Sequence, residues 1–193
     1  MKLTLPSALR WMFYLLLPAL AAVAAWGAPD LRTAAGNQAL TFAGTPYLHR
    51  WSGNDQHEFT PAGQEDLEHW ADMVTINYYP SVKDGDGLAA TANAVLGNYK
   101  AHQATVVKTD SVPRTPEKPA EYLIVACFAR PDFSEAVFAR FKLVGGTRGA
   151  AAIYSHREYG QKNGEQMRAW LQKNGPATEK ALMNAEQLPP PAP

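Results

Sequence analysis

The chain has one cysteine among 193 residues, Cys127, so no internal disulfide can staple it and its fold must rest on a core. It also lacks any excess of charge. Its 18 basic residues balance 18 acidic ones, and a neutral surface offers no electrostatic footprint for nucleic acid. Neither a Cys-x-x-Cys pair nor a His-Glu-x-x-His is present, so no strong zinc signature exists. No Gly-x-Ser-x-Gly elbow marks a hydrolase nucleophile, and the glycines at 145, 146 and 149 lack the lysine and following helix of a phosphate loop. Asp84 and Asp86 open like a calcium loop, but Val95 stands where the twelfth-position acid is needed, so this is a turn and helix cap. A long apolar run is missing too. The longest, from Trp11 to Ala25, is broken by Pro18 and falls short of the roughly 20 residues of a membrane-spanning helix.

That short run is informative through its flanks. Lys2 and Arg10 precede it and small residues follow to Gly27, the order of a secretory signal, with Ala25 and Gly27 as the two small residues of the cleavage site. Residues 1–27 are therefore expected to be a signal peptide and the domain periplasmic or secreted, with no membrane association after cleavage. An uncleaved membrane anchor is the alternative. A lipid anchor needs a cysteine just after the apolar run, and the only one is Cys127, within an apolar stretch where a buried, inert thiol is expected. Residues 28–39 read as a flexible lead, 40–188 as a single domain and 189–193, rich in proline, as an extended tail.

Within the domain, 40–43 and 46–51 suggest a strand pair turning at Gly44. Thr60-Pro61 resembles a helix cap and first-turn proline, and Leu67, Trp70, Ala71 and Val74 recur behind it at helical spacing. Val74, Ile76 and Tyr78 alternate as a strand ended by Pro80. Asp86 is expected to cap a helix whose apolar stripe is Leu88, Ala92, Val95, Leu96 and Tyr99. Strands follow at 105–109, 122–129, 135–143 and 149–157, with 122–129 apolar on both faces and the last three forming an antiparallel meander. Helices at 165–173 and 178–188, separated by Gly175-Pro176, close the chain. The expected class is α+β, an antiparallel sheet with a C-terminal meander flanked by three or four helices in the order ββαβαββββα.

Phe59-Thr60-Pro61 followed by Trp70 resembles the early part of PsbP-like lumenal and periplasmic proteins, which implies a helix-flanked antiparallel sheet and an accessory or binding role without chemistry. The densest polar cluster runs from His49 to Glu58. Trp51, Asn54 and Asp55 beside Gly53 suit a ligand or partner surface. His57, Glu58 and His69 could converge with Glu65 if 65 and 69 share a helix face, but their spacing matches no metal motif. A second cluster holds His156 and Arg157. Ser155 and His156 cannot pair, since neighbours on a strand face opposite ways, and Arg157 and Glu158 are expected as exposed cross-strand partners for Arg140 or Glu135.

The candidate surface is thus Trp51, Asn54, Asp55, His57, Glu58, His69, His156 and Arg157, with no cofactor and no metal expected. The function expected is a non-catalytic exported binding or accessory protein for a protein or small-molecule ligand. The alternatives are a small hydrolase or metal-dependent enzyme using His57, Glu58 and His69, or the neutralising partner of a secreted toxin.

Overall fold

A computed structural model describes residues 39–185. The signal at 1–27, the lead up to residue 38 and the tail at 189–193 lie outside the described residues. Eight strands form one antiparallel sheet: β1 (Ala39–Phe42), β2 (Thr45–Gly53), β3 (Gln56–Pro61), β4 (Asp72–Tyr79), β5 (Thr105–Val112), β6 (Glu121–Ala129), β7 (Phe133–Val144) and β8 (Arg148–Tyr159). Helix α1 (Gly85–Ala101) crosses from β4 to β5, and α2 (Asn163–Asn184) follows β8.

The sheet order is β1-β2-β3-β4-β8-β7-β6-β5. Each half of the chain is a four-strand meander, and the halves meet where the last strand of one pairs with the last strand of the other, Asp72 to Tyr79 against His156 to Gly149. The expected α+β class, antiparallel sheet and C-terminal meander are present. The expected order is not: the described residues form ββββαββββα, with two helices rather than three or four.

Cross-strand register assigns the faces, because directly opposed residues lie on the same side. Val125, Phe138, Tyr154, Val74, Phe59 and His49 form one row across six strands. Helix α2 lies on this side, with Met167 and Leu182 buried in the same core and Trp170 packed on Phe138 and Tyr154. Phe128 points the other way and meets Tyr99 of α1 edge-on at 5.3 Å, beside the buried Leu88 and Ala92. One helix on each face explains why β6 is apolar on both sides. Of the expected α1 stripe, Val95 and Leu96 are only half-buried.

Three helix expectations are corrected. No helix follows Thr60-Pro61: β3 pairs with β2 as far as Tyr47 opposite Pro61, while β4 joins only through Phe59. Pro61 therefore stands past the β4 ladder, where its missing N–H costs nothing. The loop beyond is fastened by side chains, with Gln64 Oε1 accepting from the amides of Ala71 and Asp72 (2.8 Å each) and Asp66 Oδ1 from that of Glu68. Next, α1 is capped by Asp84, not Asp86: the Asp84 carboxylate accepts from Gly87 N–H at 2.8 Å, and Asp86 sits in the first turn.

Finally, α2 runs unbroken through Gly175-Pro176. A helix-interior proline costs about 3 kcal/mol. Burial of Met167 before it and Leu182 after it, each worth roughly 1.5–3 kcal/mol, offsets that cost. Gly175 is buried facing Phe138, where an added Cβ would sit 3.9 Å from the ring. Among the described residues no helix is long and apolar enough to cross a membrane.

Candidate functional site

Two polar clusters lie toward opposite ends of β4. Near its start, Asp72 receives the Tyr154 hydroxyl at 2.6 Å and faces His156 Nδ1 at 2.9 Å, while His156 Nε2 faces Glu158 Oε1 at 3.2 Å. The His156 ring is stacked on Trp170 at 4.1 Å, nearly parallel. Burial pushes the Asp72 carboxyl up, but hydrogen bonds from His156, Tyr154 and Gln64 outweigh it and hold the group below its ordinary range. The Tyr154 phenol goes the other way, raised by burial and by the Asp72 carboxylate. It is therefore a fixed proton donor. The cluster is capped by α2 and works as a pin between helix and sheet.

Arg157, next to His156, points to the other face. Its Nε donates to Glu135 at 2.9 Å, and its guanidinium lies 3.9 Å from the Trp70 ring centroid and 4.4 Å from that of Phe133. The expected pairing with Glu135 is present, yet both partners are buried rather than exposed. Arg140 bonds Glu121 instead. His69, in the loop between β3 and β4, stacks on Tyr159 at 4.2 Å.

The other cluster is the tip of the β2–β3 hairpin. Asn54 and Asp55 form its two-residue turn with φ of 50° and 62°, a left-handed pair that Asn and Asp tolerate. The Asp55 carbonyl accepts from Tyr78 N–H at 2.8 Å, tying the turn to β4. Trp51 lies across Gly53, where any Cβ would meet the indole at 2.7 Å. Alternation would put His49 and Ser52 on opposite faces. A bulge at Arg50 breaks it, since His49 opposes Phe59 while Trp51 opposes Glu58 and Ser52 opposes His57. His49, Ser52 and His57 consequently meet: Ser52 Oγ is 2.6 Å from His49 Nε2 and 2.7 Å from His57 Nδ1. Ser52 is exposed, His49 half-buried and His57 buried.

Burial lowers the basicity of both imidazoles. For His49 it is opposed by a hydrogen bond with the Trp51 backbone. For His57 the neighbouring His49 adds to the lowering and Asp55 opposes it.

The candidate residues thus divide. Trp51, Asn54, Asp55, His57 and Glu58 lie at the hairpin end, but Trp51 and Glu58 occupy the face opposite His57, and Glu58 accepts from Gln56 Nε2 at 2.8 Å. His69, His156 and Arg157 belong to the far end. His57 and His156 oppose Ile76 and Asp72, four residues apart on β4, or about 13 Å at about 3.3 Å per residue. His57, Glu58 and His69 are not brought together. Among the described residues no three His, Cys, Asp or Glu side chains group to hold a metal ion. Cys127 is half-buried rather than fully buried, and burial raises its thiol further from the reactive thiolate.

Sequence reasoning missed the Ser52 triplet, because no residue type announces the Arg50 bulge. It also missed Asp72 as partner of His156, which depends on β4 lying beside β8. No protein-family model matches the chain, and no curated protein matches it.

Proposed function

We propose that the chain is an exported accessory protein, periplasmic or secreted, that binds a protein or small-molecule partner through the tip of its β2–β3 hairpin. Export is supported by the basic start, the short apolar run and the small residues ending at Gly27. The resemblance of Phe59-Thr60-Pro61 and Trp70 to PsbP-like proteins favours the same accessory role. One observation carries the choice of surface: the tip exposes Ser52, Asn54 and Asp55, with a half-buried Trp51 on the face opposite Ser52, on a turn whose shape is already set by left-handed residues and the bond to Tyr78. A pre-ordered surface loses little conformational freedom on binding, and tryptophan is the residue type most enriched at binding hot spots.

The test is photo-crosslinking from position 54 in the exported protein, with position 173 on α2 as the remote control. A discrete adduct is expected from 54 only. Trp51→Ala should weaken it by about thirtyfold, the equivalent of a hot-spot loss of about 2 kcal/mol. Equal adducts from both positions, or an adduct indifferent to Trp51→Ala, would refute the surface. Retention of full-length protein in the cytoplasm would refute export.

A further inference from the structure

The Ser52 hydroxyl sits between two ring nitrogens, at 2.6 Å from one and 2.7 Å from the other. A hydroxyl carries one proton, so it donates to one imidazole and accepts from the other. Which does which is set by the other contacts of the rings. His49 also makes a hydrogen bond with the Trp51 backbone, one that favours the protonated ring and so involves the carbonyl. With Nε2 facing Ser52, Nδ1 is the nitrogen left to donate to that carbonyl. His49 Nε2 therefore carries the lone pair and takes the Ser52 proton, while His57 Nδ1–H donates to Ser52 Oγ.

A serine bonded to a neutral imidazole whose far nitrogen is fixed by a carbonyl is the arrangement of an activated nucleophile and its oriented base. Burial keeps both rings neutral near pH 7, as a proton acceptor must be. Ser52 itself is exposed, so an incoming carbonyl can reach it.

We propose that Ser52 is an acyl-accepting nucleophile, with His49 as its general base and His57 as the donor that positions its oxygen, acting on carboxylic esters or related acyl donors. In the acylation step Ser52 Oγ forms a bond to the acyl carbon as its proton passes to His49 Nε2. The bond from that carbon to the leaving oxygen then breaks, and the leaving alkoxide takes the proton from His49. Water reverses the sequence, releasing the acid and restoring the serine. This proposal does not rest on the partner-binding role, and either can fail alone.

The experiment exposes the purified full chain to p-nitrophenyl acetate and follows p-nitrophenolate release together with peptide mass spectrometry. Acetylation is expected at Ser52 at least a hundredfold faster than at Ser111, an exposed serine of β5 that serves as an internal reference needing no variant. Ser52→Ala should abolish the fast phase. His49→Gln should slow it by about a hundredfold or more with the circular dichroism unchanged. Ser52 labelled no faster than Ser111, or a Ser52 rate untouched in folded His49→Gln protein, would overturn the proposal.

Discussion

Replacing Arg140 by methionine should detach the C-terminal end of α2 from the sheet. Arg140 projects from β7, is 5% exposed, and its Nη1 donates to the carbonyls of Leu182 (2.9 Å) and Ala185 (2.7 Å). Leu182 lies in the last turn of α2 and Ala185 is its C-cap, where carbonyls lack the i+4 amide of the helix interior; Leu182 O also accepts from Ala185 N–H at 3.3 Å. Its Nε and Nη2 both reach Glu121 at 2.6 Å. Hydrogen bonds to a charged group contribute about 1.5–3 kcal/mol each, so the two carbonyl bonds imply a loss of about 3–6 kcal/mol. Glu121 is 21% exposed in its side chain, and its share of the ion pair is screened to about 1 kcal/mol or less.

The two contributions separate by urea unfolding of Arg140→Met, Glu121→Gln and the double variant. With a slope of about 2 kcal/mol/M, the midpoint should fall by about 1.5–3 M for Arg140→Met and by about 0.5 M for Glu121→Gln. Amide exchange in the last turn of α2 should accelerate in the first variant alone. If Glu121→Gln cost as much as Arg140→Met, the ion pair rather than the helix end would be the anchor, and the reasoning would fail.

Three more outcomes follow from the same geometry. Pro176→Ala should raise stability by about 1–3 kcal/mol, since Pro176 is exposed and alanine restores the amide bond to the Gln172 carbonyl. A lowered thermal midpoint would show that proline fits the helix better than its propensity implies. Gly53→Ala should change stability by less than about 1 kcal/mol but shift Trp51 fluorescence, because the new Cβ collides with the free end of the indole; unchanged emission would mean that the ring does not lie across the glycine. Stability should fall on acidification in two windows. His49 and His57 have folded-state basicities below the ordinary 6.5, so the unfolded chain takes protons first and stability declines as the pH drops below about 6.5. Asp72, held below 3.8, contributes stability that is complete above that value and lost as the pH falls through its folded value. Asp72→Asn should shrink the lower window, to which the exposed Glu65 and Asp110 also contribute, and leave the upper one in urea titrations at successive pH values.

The strand expected at 135–143 is present within β7, and Gly145 and Gly146, with φ of 59° and 74°, mark the turn after it, although β7 is buried on both faces. Thr60-Pro61 misled because cap-like residues also fit the end of a strand when the neighbouring ladder stops two residues earlier. Gly175-Pro176 misled because the burial that holds α2 together comes from β7 and β8, far away in sequence. The hairpin end was legible as a polar, aromatic loop, and Trp51, Asn54, Asp55 and His57 do share it. Its chemistry was not, since one bulged residue, Arg50, decides that His49 and Ser52 face each other. The pairing of Asp72 with His156 depends on a long-range strand contact that local pattern does not encode.

The seam between β4 and β8 also sets a timetable. The inner edge of β4 has no hydrogen-bonding partner until Arg148 to Tyr159 are available, with residues 80–147 intervening. A partly made chain therefore presents an eight-residue unpaired edge, the kind that pairs with a stranger when its own partner is late. Loop closure over that distance is slow, and nothing local rewards an early attempt. The middle of the sheet is thus its longest-range strand pairing, the one that only the last strand of the chain can close.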